Sequence, residues 1–469
     1  MTPVVPRRWR VFPALALGTI VATLDISVVN LALPAIAGEY HSPLTRVSWV
    51  VLAYVLVITG LLLALGRLAD RAGRRRLYAL GLVIFLASSL ACAAAPAVGW
   101  LIAARAVQGL GAAMMSANAT ALLVAAFPET ERGRAIGAFG ASVGVGLAAG
   151  PPLGGLVVSA LSWRLLFLIN LPIGLIALWL LQRNVPEDAP VAEPQPLGLA
   201  SVVSWSAGLA ALMVALSLGP ERGWTSRTVV MAAGAAFVLL AAFAWAESRE
   251  SQPLLPWDLL RGPLGPAAFL TLLGQVLSIA VAFLLPPYLE VVRGLDARHA
   301  GGWLAVLPVA ALLCAPLAGR WSDRVGTRLL SVGGLLLVAG GDFLLARMGG
   351  SARGLLPGAI LIGVGLGLFT VPNASVVMGS VPAHRLGLAS GLQATMRNLG
   401  LAAGTAGTAA LTTLLYRRAT GEPLVVGPGA QGQALAAAIC TAFLWLGWLA
   451  FGGAALAAIQ PATKAGARG

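Results

Sequence analysis

Charge is scarce in this 469-residue chain: charged residues make up 10%, and only 17 residues are acidic. A soluble domain carries about 25% charge, so this chain cannot cover itself with an ordinary water-exposed surface. Histidine is limited to His41, His299 and His384, far apart in connecting segments, which leaves no cluster of metal ligands. Cysteine is limited to Cys92, Cys314 and Cys440, each inside an apolar run, with no CxxC and no paired framework. That excludes a disulfide scaffold and a dithiol redox site. Lysine occurs once, at Lys464, so arginine carries nearly all of the positive side of a formal net charge of +14. The arginines stand singly or in short clusters between apolar runs. A nucleic-acid-binding face needs continuous positive charge, and none is present.

What the chain has is hydrophobicity, at 58% of residues and a mean hydropathy of +0.88. Apolar runs of about twenty residues, the length a helix needs to cross a bilayer, recur along it. They lie near 12–36, 47–66, 77–95, 100–126, 135–159, 164–182, 197–217, 227–246, 265–287, 301–319, 329–346, 355–378, 388–412 and 433–458. The fold class predicted is an all-α integral membrane protein with fourteen transmembrane helices. The first run carries Asp25 and no small-residue cleavage site, so it reads as a span and not as a removable signal peptide.

A repeat organises these runs. GRLADRAGRR at 66–75 returns as GRWSDRVGTR at 319–328, six of ten positions matching at an offset of 253. GLAAG at 146–150 returns at 400–404, offset 254. Matched segments at one offset mean two related halves, an arrangement typical of secondary transporters. The basic phrase follows the second span and the tenth, eight apart, where two bundles of six would place it six apart. Two pseudo-symmetric six-helix bundles with two inserted helices reconcile the count. The predicted organisation is an N-terminal bundle at 1–182, linkers and the inserted pair at 183–262, and a C-terminal bundle at 263–469. The stretch 183–196 is rich in Pro and acid, as a linker should be. Lys and Arg number nineteen on the side of the termini against ten on the other. By the positive-inside rule both termini are cytoplasmic.

Charges within membrane spans are costly and usually functional. Asp25 lies midway along the first span, where a carboxylate can take up and release a proton; the alternative is a carboxylate permanently paired with an arginine. Arg105 sits early in the fourth span with Gln108 one turn on, and Arg397 sits in the thirteenth with Gln393 one turn before. For each arginine the alternative is a fixed ion pair between helices. Asp342, late in the eleventh span, reads either as functional or as a residue near the outer surface. Other polar residues within spans, expected to line a cavity with Asp25, Tyr54, Arg105, Gln108, Gln393 and Arg397, are Asn30, Asn118, Gln275, Tyr288 and Asn373.

These residues resemble the major facilitator superfamily, and within it the fourteen-helix drug:proton antiporters. LDISVVNLALP at 24–34, with Asp25, Asn30 and Pro34, looks like that subgroup's first-helix motif, and Trp49 and Tyr54 match its second helix. GRLADRAGRRR at 66–76 is similar to the loop motif between helices 2 and 3. LIAARAVQGLGAA at 101–113 resembles the helix-4 motif, and GLAAGPPLGG at 146–155 the antiporter motif of helix 5. WRLLFLINLPIG at 163–174 resembles the start of helix 6.

The resemblance implies proton-coupled efflux of lipophilic, cationic drugs or toxic small molecules, by a monomer in the bacterial cytoplasmic membrane. It implies a proton gradient as energy source and no cofactor. Asp25 would carry the proton. Gly66, Asp70, Arg71, Gly73 and Arg74, with Asp323 and Arg324 of the second copy, would latch the two bundles on the cytoplasmic side. Gly146, Gly150, Pro151, Gly154 and Gly155 would form the antiporter motif, in which the adjacent prolines should bend the helix. The second half lacks the Gly-Pro pair, since Thr405 follows its GLAAG. Two other readings are a specific exporter of one metabolite or antibiotic on the same fold, favoured by the few membrane carboxylates, and a polytopic membrane enzyme. The latter finds no acid/base or metal spacing in the loops.

Overall fold

The protein is described from a computed structural model. Residues 7–42, 44–128, 131–160, 162–186, 198–250, 255, 257–295, 297–347, 355–382, 385–421 and 432–460 are described. The side-chain environments of Asn30, Pro34, Pro151, Pro152, Gly155, Glu290 and Asp323 lie outside the described residues.

Long helices dominate. In chain order they are α1 (Val11–Glu39), α2 (Trp49–Ala72), α3 (Arg74–Ala93), α4 (Val98–Ala126) and α5 (Arg132–Ala160). Next come α6 (Arg164–Asn184, in two pieces about Ile169), α7 (Leu199–Arg222) and α8 (Arg227–Glu247). The second half holds α9 (Leu264–Pro287), α10 (Ala297–Val325), α11 (Thr327–Ala346), α12 (Leu355–Gly379), α13 (Leu386–Thr420) and α14 (Gly432–Ile459). Among the described residues, thirteen helices are long and apolar enough to cross a membrane. The remaining long helix, α5, has 29 residues. The chain is an all-helical, multi-pass membrane protein. Its outward side chains agree: Trp100, Trp179, Phe237, Leu313 and Trp448 are all exposed, which lipid tolerates and water does not.

The repeat has a local structural cause. Gly73 and Gly326 each end one helix and begin the next at positive φ, +100° and +94°, a backbone open to glycine at no steric cost. The helices they start, Arg74–Ala93 and Thr327–Ala346, are both 20 residues long. Seven residues earlier, Gly66 of α2 abuts the backbone of Gly387 in α13, and Gly319 of α10 abuts the backbone of Gly133 in α5. A Cβ at either glycine would overlap a carbonyl oxygen. The two copies thus make equivalent close approaches, α2 to α13 and α10 to α5.

These approaches lie at the end of the molecule that carries the Gly73 and Gly326 turns. There a single apolar core runs through both halves, from Leu62, Leu77 and Leu123 to Val377, Leu388 and Leu392. Toward the other end each half keeps a separate core, one around Val28, Val50 and Phe167, the other around Leu284, Leu345 and Phe443. The halves are therefore joined at the turn end. At the opposite end of α9, Pro286 and Pro287 remove two backbone donors, and the chain continues into a π-helical turn, Tyr288–Val292.

Helices α7 and α8 pack on each other through Trp205 and Phe243, with ring centroids 4.8 Å apart. The face of α7 lies against α2, close enough at Gly60 that a Cβ would sit 3.0 Å from the Ser206 carbonyl, and it also touches α13. α8 is the outer member, with Met231, Phe237, Val238 and Trp245 exposed.

Candidate functional site

Two polar arrangements occupy the interior. The first is a network enclosed within α1, α2, α3, α4 and α6. Asp25, midway along α1, is buried. Arg105 Nη1 donates to Asp25 Oδ2. Asn170 Nδ2 and Gln108 Nε2 both donate to Asp25 Oδ1, at 2.9 and 3.2 Å. Gln108 also donates to Ser89 Oγ at 2.7 Å, and its own Oε1 accepts from Arg105 at 2.6 Å. Arg105 Nε donates to the Val50 carbonyl at 3.0 Å, and its guanidinium lies 4.2 Å from the centre of the Tyr54 ring. Arg105 and Gln108 share a face of α4 because they are three residues apart. A charged pair survives burial best when its remaining lone pairs and protons are also bonded. Here Gln108, Asn170 and the Val50 carbonyl supply most of those bonds, while Arg105 Nη2 has no hydrogen-bond partner among the described residues.

The α5 motif packs against this segment of α1. A Cβ at Gly146 would overlap Thr23, and one at Gly150 would overlap Ser27, so α5 meets α1 two residues to either side of Asp25. The helix is continuous through the Pro151–Pro152 pair.

The second arrangement is a cavity between the two halves, with adjoining lobes of about 240 and 270 Å³. Together they fall in the range of small-molecule sites, about 300–1,000 Å³. The N-terminal half contributes Thr19, Ala22 and Thr23 of α1, Ser116 and Thr120 of α4, and Phe139 and Val143 of α5. The C-terminal half contributes Gln275, Thr370, Gln393 and Arg397 to both lobes, and Asn373 and Phe369 to one. Arg397 is exposed to this space. Asn373 Nδ2 is held by the Ala267 carbonyl at 3.0 Å and by Thr271 Oγ1 at 2.9 Å.

The structure thus divides the expected cavity residues. Gln275, Asn373, Gln393 and Arg397 line the cavity. Asp25, Tyr54, Arg105 and Gln108 do not: they lie behind its wall, inside the first half. Asn118 is also buried away from it, with Nδ2 donating to the Met114 carbonyl of its own helix at 2.7 Å. Tyr288 belongs to the apolar core of the second half. The side chain of Asn30 lies outside the described residues. The correction has a physical reason. Polarity within a span says that a side chain needs partners, and a helix of the same bundle supplies them as well as a cavity does. The sequence reading also passed over Ser89 and Asn170, though Asn170 stands in the quoted WRLLFLINLPIG phrase, and over the threonines and serines of the cavity wall.

At the turn end, Asp70 bridges the halves. Its carboxylate accepts from the backbone N–H groups of Gly387 and Leu388, at 2.8 and 2.9 Å, in the first turn of α13. Arg74, one turn away, donates to the same carboxylate at 2.8 and 3.0 Å. A carboxylate at a helix N-terminus satisfies unpaired N–H groups and the positive end of the helix dipole. Arg71 is half-buried and Arg324 is exposed; the Asp323 side chain lies outside the described residues.

Residues 15–405 match the Major Facilitator Superfamily. The chain belongs to that superfamily. Riboflavin transporter RibZ of Clostridioides difficile is 32% identical over 415 residues, 85% of this chain and 87% of that protein. Multidrug resistance protein Stp of Mycobacterium tuberculosis is 34% identical over 415 residues, 87% of this chain and 76% of that protein. The fold is similar to that of the MFS proton:xylose symporter XylE, with a TM-score of 0.68 at 16% identity, covering 98% of this chain and 97% of that one. The protein is a superfamily transporter related to drug-resistance efflux proteins, and its chemistry is movement of a small molecule, not its conversion.

Proposed function

We propose that this protein exports lipophilic small molecules in exchange for protons, by alternating access of the central cavity. The observation that carries the reading is the shared helix. α1 presents Ala22 and Thr23 to the cavity and, two residues on, holds Asp25 against Arg105 behind the wall. A proton on Asp25 removes the charge that Arg105 binds, so the network must rearrange, and α1 carries the change to the cavity. Guest and proton need not meet. Each needs only to bias the same two-state equilibrium. Asp70 on the first turn of α13 serves as the latch that keeps the turn end closed, and opening there requires this contact and the Gly66–Gly387 approach to part.

In this reading all fourteen long helices span the bacterial cytoplasmic membrane, with both termini inside. α1–α6 and α9–α14 form the two moving bundles, and α7 and α8 are the insertion. The transporter works as a monomer. Multidrug resistance in one relative's name supports a broad range of lipophilic guests, and riboflavin in another's supports the narrower reading of one compound per transporter. A cationic guest, the expectation from the resemblance, would meet no carboxylate on the described wall; export against protons holds for a guest of either sign.

The test is Asp25→Asn in proteoliposomes under an imposed pH gradient, with riboflavin, fluorescein and ethidium as reporters. Wild-type protein is expected to move at least one of them at a rate that follows the gradient. Asp25→Asn should lose that dependence while eluting as a folded species. Gradient-driven transport at the wild-type rate in Asp25→Asn would remove Asp25 from the coupling, and a wild-type protein indifferent to pH would end the antiport reading.

A further inference from the structure

The cavity between the halves holds a single kind of charge. Of the described residues on its wall, Arg397 alone is ionisable. Its guanidinium is exposed to the cavity, and no hydrogen bond or ion pair engages it among the described residues. The contrast with Arg105 is direct, since that guanidinium is neutralised by Asp25. Among the described residues, the acids buried within the spans are elsewhere. Asp25 is bound by Arg105, Gln108 and Asn170, and Asp342 is buried in α11 and off the cavity wall.

We propose that the cavity selects amphipathic organic anions, with Arg397 binding a carboxylate or sulfonate and the apolar wall taking the body of the molecule. The proposal rests on the reading that this cavity holds the transported guest. Arginine presents its N–H groups as a planar fork that matches a carboxylate with two parallel bonds. Gln275 and Gln393 stand on the same wall as neutral donors that can complete the shell of an anionic group. Phe139, Val143 and Phe369 supply flat apolar surface for an aromatic or aliphatic body. A cation in the same space would face an uncompensated guanidinium in a medium of low dielectric, where like charges repel far more strongly than in water. The polar wall therefore excludes by charge and the apolar wall retains by area.

The test compares three probes of nearly one shape: dansylglycine (a carboxylate), its neutral amide, and mono-dansylated ethylenediamine (an ammonium). Binding is measured to the full-length protein in phosphatidylcholine nanodiscs, with no gradient, so a failure of proton coupling leaves this measurement intact. Dansylglycine should bind about tenfold more tightly than the amide, in line with a charge-assisted bidentate pair, and the ammonium should bind most weakly. Arg397→Gln should erase the preference for the carboxylate and improve ammonium binding; Arg397→Lys, which keeps the charge and loses the fork, should retain part of it. Ammonium binding equal to or tighter than carboxylate binding in the wild-type protein overturns the proposal. So does an unchanged preference in Arg397→Gln, or no binding of dansylglycine at all.

Discussion

Asp25 in α1 and Asp342 in α11 are both carboxylates buried in apolar helices, one in each half, and they are held in opposite ways. Asp25 is met by Arg105, Gln108 and Asn170. Asp342 is fully buried, and neither of its oxygens has a hydrogen-bond partner among the described residues. The repeat explains the difference. α3 and α11 begin and end at the same offset of 253, which aligns Asp342 with Ser89. In the first half Ser89 belongs to the Asp25 network, accepting from Gln108 and Asn170. Asp25 aligns with Ser278 at the same offset. Between α4 and α12 the matching glycine contacts, those of Gly109 and Gly363 and those of Gly111 and Gly365, run at an offset of 254, which aligns Arg105 with Ala359. The second half therefore has an acid at the serine's place and no arginine at the arginine's place. The matched helices and their turns keep one register in the two halves, and the two interiors differ.

The comparison can be broken most forcefully at Arg105. Arg105→Ala leaves the Asp25 carboxylate buried without its counter-ion, and breaking such a pair from one side costs about 3–5 kcal/mol. Thermal unfolding in detergent, followed by tryptophan fluorescence, should show a large drop in midpoint. Adding Asp25→Asn to the same chain should restore much of it, because the stranded charge is gone. An Arg105→Ala protein that melts like the wild type would mean that the pair is not what holds the first half's interior together.

At Asp342 the sign should reverse. Asp342→Ser installs the residue that the first half carries at the matching place and removes a polar group that has no partner. Leaving a buried polar group unsatisfied costs about 1–3 kcal/mol, so the variant should unfold at a higher temperature than the wild type. A fall in the midpoint would show that Asp342 has a stabilising role the static contacts do not display.

The smallest effect is expected at Asp70. Asp70→Ala removes the acceptor from the first turn of α13, and loss of a helix cap costs about 1 kcal/mol. The readout is accessibility and not unfolding. In a cysteine-free background, a cysteine at Thr120 on the cavity wall should be labelled faster from the turn end in the Asp70→Ala protein. Equal labelling in both backgrounds would reduce the Asp70 contact to a structural cap with no part in closure.

Much of the architecture was legible in the residues because lipid leaves few choices. Backbone groups must be satisfied within each span, so runs of about twenty apolar residues can only be helices, and the helices follow the runs closely. The repeat was legible because both copies carry the same glycines, Gly73 and Gly326 among them; that each sits in a turn at positive φ came from the structure. Asp25 and Arg105 stood out because charge in an apolar span needs a reason. Their pairing did not, nor did the joining of Asn170 and Ser89 to them. Asp25 and Asn170 are 145 residues apart in the chain, and nothing local relates the face of α1 to that of α6. The division between network and cavity was equally hidden. Gln108 and Gln393 are both glutamines one turn from an arginine, yet one is sealed within a bundle and the other lines the space between bundles. Composition and periodicity settle which segments must leave water, since that depends on each segment alone. Which buried polar groups find one another, and which are left facing a cavity, is settled only when the helices pack, because each group's partner is supplied by a different helix.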